Sequence, residues 1–189
     1  MAKNKRDDIM EAALILFAER GYDGTTVPMI ADNANVGAGT IYRYFENKES
    51  LVNSLFQEHV SKFSDMLKKS VEDHSVDIRT QFHYLFQQMV QFAKDSEHSF
   101  QFIDSHCDGH YLDEKSDQLF QDFLEFLRIF AESGMKQGVL VSLQPDALIA
   151  IVYGAFARIY KLIRLGLIEE SPELLQQVEN CCWNAIRIN

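Results

Sequence analysis

The chain has 189 residues with 18 Lys/Arg against 28 Asp/Glu, a net charge of −10. That length allows a sizeable core in one or two domains, and three cysteines, two of them adjacent, give no disulfide framework. The longest apolar stretch, Ala147–Tyr160, contains Arg158 and is too short to span a bilayer, and the polar first eight residues are no signal sequence, so a cytoplasmic protein without a membrane partner is expected.

The acidity is uneven. Residues 1–49 hold 6 Lys/Arg against 8 Asp/Glu, and the remainder holds 12 against 20. An acidic C-terminal part repels nucleic acid and leaves the N-terminal part as the end able to approach it.

Residues 2–6 form a short basic arm with Lys3, Lys5 and Arg6. It reads either as a phosphate or minor-groove contact or as a solubilising tail. An amphipathic helix follows over 7–20, with Ile9, Ala13, Leu16 and Phe17 as its buried stripe and Gly21 just past its end. Thr26 is a favourable N-cap for a second helix, in which Val27, Ile30, Ala31 and Ala34 share one face. Asn35 stands where the chain turns sharply, a place that favours glycine and next asparagine. Gly37 or Ala38 opens a third helix that is expected to end at Phe45. This is a helix-turn-helix, whose second helix enters the major groove of DNA.

At about 100° per residue, Ile41 and Phe45 of that helix point inward while Gly39 and Arg43 lie opposite. Tyr42 and Tyr44 flank the inward pair, so each faces one wall of a groove. Tyrosine hydroxyls donate to phosphates, and arginine reads guanine through a bidentate contact. Gly39 lets the backbone approach closely. Asn47 caps the next helix, which puts Lys48 in a first turn where a cation opposes the helix dipole. Lys48 fits a phosphate at that N-terminus, against the plainer reading of a solvated lysine.

A helix of roughly 35 Å runs from Lys48 to about Val71, with Val52, Leu55, Phe56, Phe63, Met66 and Leu67 at helical spacing. His59 interrupts that stripe as a packed core histidine. After a polar break at Glu72–Val76, helices are expected over 77–94, 97–107 and 113–137. Nine of the 14 phenylalanines fall between Phe82 and Phe130, which suits either an aromatic core or an adaptable apolar pocket. Asp104-Ser105-His106-Cys107 with His110 is the one metal-like cluster, although Asp108-Gly109 interrupts the helix between the histidines. Pro145 opens a helix to about Leu165 that is apolar almost all round, with Ala147, Ala150, Gly154 and Ala157 as a small-residue stripe. Pro172 opens the last, with Leu174, Val178, Cys181 and Ala185 on one face. Two such helices from each of two subunits would make a four-helix, two-fold interface. The fold class is all-α, with a DNA-binding domain over 1–50 and a second helical domain over 51–189.

The set Gly21-Tyr22, Thr25-Thr26-Val27, Ile30-Ala31, Ala34, Val36, Gly39-Thr40-Ile41-Tyr42, Tyr44-Phe45 and Lys48 resembles the N-terminal signature of the tetracycline-repressor (TetR) family. The match covers roughly residues 5–55 with many positions in register. The resemblance implies a homodimeric transcription regulator, usually a repressor, with a ligand pocket in its C-terminal domain. Carried over by position, Thr40, Tyr42, Tyr44 and Lys48 hold phosphates, and Ala38, Gly39 and Arg43 face bases. Lys5, Thr26 and Gly37 complete the expected DNA-binding set. Two departures stand out: Asn35 replaces the usual turn glycine, and Gly37 replaces a serine or threonine that would touch phosphate. Pro28 fits the first turn of its helix but adds no base-reading hydrogen bond.

The resemblance also favours a pocket among the aromatics, with Phe63, Met66, Phe86, Met89, Phe102, His106, Tyr111, Phe123, Phe126 and Tyr153 as lining. It favours a dimer interface at Ala150, Gly154, Ala157, Leu174, Val178 and Cys181. The expected partners are double-stranded operator DNA, a small hydrophobic effector and a second copy of the chain. No cofactor and no bound metal are expected. Rival readings keep the fold but sense metal through His106, Cys107 and His110 or redox state through Cys181 and Cys182. A metal-dependent enzyme and a protein-binding module with a vestigial helix-turn-helix are further rivals. No nucleophile elbow, P-loop, dinucleotide fingerprint or zinc-hydrolase motif is present, so no enzyme is expected.

Overall fold

The computed structural model describes residues 4–72 and 75–188. Lys3 of the basic arm, and residues 73 and 74 of the expected polar break, lie outside them. The described residues form nine helices: α1 (Lys5–Arg20), α2 (Val27–Asn33), α3 (Ala38–Ile41), α4 (Lys48–Ser70), α5 (Ile78–Asp95), α6 (Glu97–His106), α7 (Glu114–Lys136), α8 (Pro145–Arg164) and α9 (Pro172–Ile186). Among these residues the one bridge of β type joins Leu140 to Arg187. No helix among them is long and apolar enough to cross a membrane.

Local chemistry sets the helix ends. Asn4 caps α1 by accepting from Arg6 N, so the helix begins two residues before the expected start and takes in Lys5 and Arg6. Gly21, at φ 68°, ends it, and its N–H bonds back to Phe17 O. Thr26 caps α2, and Asn35 turns the chain at φ 53°. Asn47 caps α4, accepting from Ser50 N at 2.7 Å while Ser50 Oγ accepts from Asn47 N at 3.2 Å. Prolines open α8 and α9, where a missing N–H costs nothing. The regular part of α3 is shorter than expected. It stops at Ile41, and Arg43 N and Tyr44 N bond three residues back, to Thr40 O and Ile41 O. A tightened last turn satisfies carbonyls that a helix end would leave open.

The chain folds as two compact units, each made of separated segments. The first joins Met1–Ser64 to Phe92–Gln121. In it α1 packs against α2 and α6, and α2 against α3. Ile9, Phe17, Ile30, Ile41, Leu51, Leu55 and Phe56 are buried to within 1 %, each contributing about 1.5–3 kcal/mol. Thr25 is buried with its hydroxyl between Leu16 O (3.0 Å) and Gly21 O (2.8 Å), which ties the entry to α2 onto α1. His59 is buried edge-on to Phe102, and burial pushes its imidazole down to about 4.

The second unit joins Asp65–Gln91 to Asp122–Asn189. Here α8 packs on α9. Phe86 meets Phe156 at 5.6 Å and Phe82 meets Trp183 at 5.3 Å. Glu179 of α9 is fully buried, and one face of α5 serves it. Arg79 Nη1 lies 2.7 Å away, His83 Nδ1 2.9 Å, and Gln87 Nε2 donates at 3.2 Å. The chain end is tied down by Val141 N to Ile186 O and Ile188 N to Val139 O.

Candidate DNA-binding surface

α3 and the turn after it present their polar side to solvent. Gly37, Ala38, Gly39, Tyr42, Arg43 and Tyr44 are exposed and Thr40 is half-buried, whereas Ile41 and Phe45 are buried. Tyr42 and Tyr44 are 56 % and 43 % exposed, unusual for aromatic side chains in a well-packed unit. Arg6 lies over the Phe45 ring at 5.5 Å, which brings its charge to the end of the recognition segment.

The two glycines are informative. A Cβ built on Gly37 or Gly39 meets nothing within 4 Å, and neither residue has a positive φ. Among the described residues nothing crowds either place, so neither packing nor backbone conformation requires glycine there.

Thr26 is exposed, and its hydroxyl accepts from Met29 N at 3.5 Å. Exposed Lys5 borders a cleft of about 450 Å³ between α1 and the Asn33–Val36 turn, with Asp8 and Glu11 on the same wall. Those carboxylates would repel a phosphate deep in that cleft.

Lys48 is only half exposed. Its ammonium donates to Tyr22 O at 2.9 Å and to Thr25 O at 3.1 Å. It also sits 3.8 Å from the Tyr22 ring centroid. The charge at the start of α4 is therefore held in place by the loop that follows α1. Burial, then the charge of Glu49, raises the Tyr22 phenol.

A family model described as "Bacterial regulatory proteins, tetR family" matches residues 9–55, and one described as "Tetracyclin repressor-like, C-terminal domain" matches residues 56–188. The chain belongs to the TetR family. It is a transcriptional regulator with the family's N-terminal helix-turn-helix and C-terminal helical domain. The HTH-type transcriptional regulator YhgD of Bacillus subtilis is 25% identical over 148 residues, 77% of each chain. The negative transcriptional regulator IcaR of the icaADBC biofilm operon in Staphylococcus epidermidis is 33% identical over 82 residues, 43% of this chain and 44% of that one. Among solved structures, the fatty acid degradation regulator FadR of Bacillus halodurans superposes with a TM-score of 0.73 at 25% identity, covering 97% of this chain and 96% of that one.

The expected pocket residues of this TetR-family chain fall into both units. In the first, Phe63 meets Phe92 at 4.6 Å with the rings tilted by 31°, and Phe102, His106 and Tyr111 join an aromatic cluster with Phe17 and Tyr22. In the second, Phe86, Met89 and Phe123 are buried, Met66 and Tyr153 are half-buried, and Phe126 lies beneath the Lys68 ammonium. Of the expected interface residues, Ala150, Gly154 and Cys181 are exposed and Ala157, Leu174 and Val178 half-buried. A Cβ on Gly154 meets nothing within 4 Å.

The metal-like cluster does not converge. His106 is buried with Nδ1 on Phe102 O at 2.9 Å, Cys107 Sγ donates to Asp104 O, and exposed His110 lies edge-on to Tyr22. Among the described residues no three His, Cys, Asp or Glu side chains come together as a metal site. Burial lowers His106, and burial with Asp108 and Asp104 raises the Cys107 thiol, away from the thiolate a metal needs. Burial likewise raises the Cys182 thiol.

Sequence reasoning placed Tyr22 in the family signature without giving it a role, and passed over Asn53. Asn53 is buried on α4, and all four of its side-chain hydrogen bonds are made: to Glu49 O and Tyr111 O from Nδ2, and from Asp113 N and Ser116 Oγ to Oδ1. The one local signal was a polar amide beside Val52 and Phe56 of the buried stripe, with a second amide, Gln57, one turn on.

Proposed function

We propose that the chain is a cytoplasmic homodimeric repressor, released from a pseudo-palindromic operator by a small apolar effector. The observation that carries the DNA half of this reading is the outer face of α3. It combines exposed Tyr42, Arg43 and Tyr44 with two glycines that the fold does not need. Thr26, Thr40, Tyr42, Tyr44 and Lys48 serve the phosphates, with Lys5 at the margin. Ala38, Gly39 and Arg43 approach base edges, and the smooth Gly37 lets them come near. Two copies related by a two-fold axis place these faces in successive major grooves, about 34–36 Å apart. The α8–α9 surface, with Ala150, Gly154, Ala157, Leu174, Val178 and Cys181, forms the two-fold contact.

The effector is apolar because the C-terminal helices supply aromatic and Met side chains and few charges to their interiors. The likeness to a fatty acid degradation regulator makes acyl chains the first class to try. The test selects binding sites from random duplex DNA, then titrates fatty acids and acyl-coenzyme A thioesters into the complex. A palindromic consensus bound by a dimer, weakened by about 5–150-fold at saturating acyl ligand, is the expected result. Failure to enrich any sequence would overturn the operator reading; equal affinity with and without acyl ligands would overturn the effector class.

A further inference from the structure

Lys48 does not stand alone at the head of α4. Its ammonium lies 3.8 Å from the Tyr22 ring centroid, and the Tyr111 ring stacks on the same ring at 3.9 Å with an 18° interplanar angle. Two groups that close to one centroid must occupy opposite faces, so Tyr22 is held between a cation and a second aromatic. A cation attracts the negative face of an aromatic ring and a second ring stacks favourably on the other face, so the three groups hold one another in place.

Tyr111 is in turn fixed from α4. Asn53 Nδ2 donates to Tyr111 O at 2.8 Å, and Asn53 Oδ1 accepts from Asp113 N and from Ser116 Oγ. Gln57, one turn on, donates to Ser116 Oγ at 3.0 Å. Gly109 leaves room for the ring: a Cβ there would come within 2.7 Å of Tyr111 Cε2 and Oη. The phenol is pushed up to about 12 by burial, so it remains neutral and the stack keeps its chemistry at physiological pH. Lys48, Tyr22, Tyr111 and Asn53 thus close a circuit that leaves α4 and returns to it five residues later.

We propose that Tyr111, in the loop between α6 and α7, is a positioning residue for operator binding: through Tyr22 it holds the Lys48 ammonium where the DNA backbone passes. The proposal rests on the DNA-binding reading above. It assigns a residue far along the chain to the electrostatic half of recognition, since an ammonium already held on the Tyr22 ring and two carbonyls loses less freedom on meeting a phosphate.

The experiment is a double-mutant cycle on the full-length chain, using the operator selected above across a range of salt concentrations. Lys48→Met should weaken binding and lower the slope of log affinity against log salt by about one. Tyr111→Leu should weaken binding several-fold, and that loss should vanish in the Lys48→Met background. Tyr111→Phe, which keeps the ring, should bind as the wild type does. Gly109→Ala, which keeps the tyrosine but displaces its ring, should reproduce Tyr111→Leu and stands in for it should that variant fail to fold. A Tyr111→Leu loss of equal size in both backgrounds would overturn the proposal, as would Lys48→Met with wild-type affinity and slope. A wild-type chain that enriches no DNA at all would instead remove the DNA-binding reading on which this rests.

Discussion

The outer faces of α3 and α8 are built in opposite ways. On the first unit the apolar side chains are turned inward, and what remains outside α3 is small or polar: two glycines, an alanine, an arginine and two tyrosines. On the second unit α8 buries fully only Leu148 and Phe156, and leaves Ile151 at 38 % and, just past its end, Leu165 at 56 % exposed. A charged, hydrated partner such as DNA is met by a saturated core and a thin polar skin. On α8 one side is packed within its own unit, and the apolar side chains left outside would be covered only by an apolar partner. The lesson is that the same helical repertoire makes either surface, depending on how much of each helix its own unit covers.

The largest effect should come from breaking the first unit's saturation. Phe17 is completely buried and touches Tyr22, Phe102 and His106. Phe17→Ala should cost about 3–5 kcal/mol in chemical denaturation, with loss of operator binding following from loss of fold.

Acid should attack the same core. His59 is held neutral, its pKa near 4 against an ordinary 6.5. Its contribution is therefore fully present above about pH 6.5 and is lost as pH falls through about 4, up to roughly 3 kcal/mol. Denaturation curves should lose stability across that window, and His59→Phe should flatten the loss.

On the second unit, Ile151→Glu puts a charge on the exposed face without touching the protomer's core. The midpoint of dissociation in sedimentation velocity should rise at least tenfold while protomer helicity is unchanged. A variant that dissociates no more readily would place the apolar contact elsewhere.

The finest probe of the comparison is Gly39→Ala. An interior helical alanine is worth about 0.5–1 kcal/mol over glycine, and the added methyl meets no protein atom. Melting temperature should hold or rise while operator affinity falls about tenfold. Unchanged affinity would mean that the backbone there does not approach DNA closely.

Most helix ends were legible because single residues write them: Gly21, Thr26, Asn35, Asn47, Pro145 and Pro172 act through their own backbone or cap chemistry. The stripe of α1 and the inward turn of Ile41 and Phe45 follow from periodicity alone. Partnerships over long separations were not legible. Lys48 reads as a surface cation, yet it bonds carbonyls 26 and 23 residues earlier. Asn53 carries no local signal of its partners, which lie 58, 60 and 63 residues on. His106 and Cys107 are spaced like ligands, and only the packing around Phe17 and Phe102 turns His106 into a ring among rings. Composition likewise could not divide the aromatics, since Phe63 and Phe86 look alike in sequence and belong to different units.

The first unit is assembled from two stretches of chain, with residues 65–91 lying between them in sequence. During synthesis, α1 to α3 therefore leave the ribosome before α6 and Tyr111 exist to complete them. At about 5–20 residues per second the wait lasts several seconds, during which Phe17 and Tyr22 lack Phe102, His106 and Tyr111. A nascent chain stopped after α4 would carry every helix-turn-helix residue and keep the Phe17–Tyr22 pair, yet lack the rings of Phe92, Phe102, His106 and Tyr111 that pack on the earlier segment. The unit that carries the helix-turn-helix is in that sense completed late in synthesis, by a segment that lies outside the helix-turn-helix.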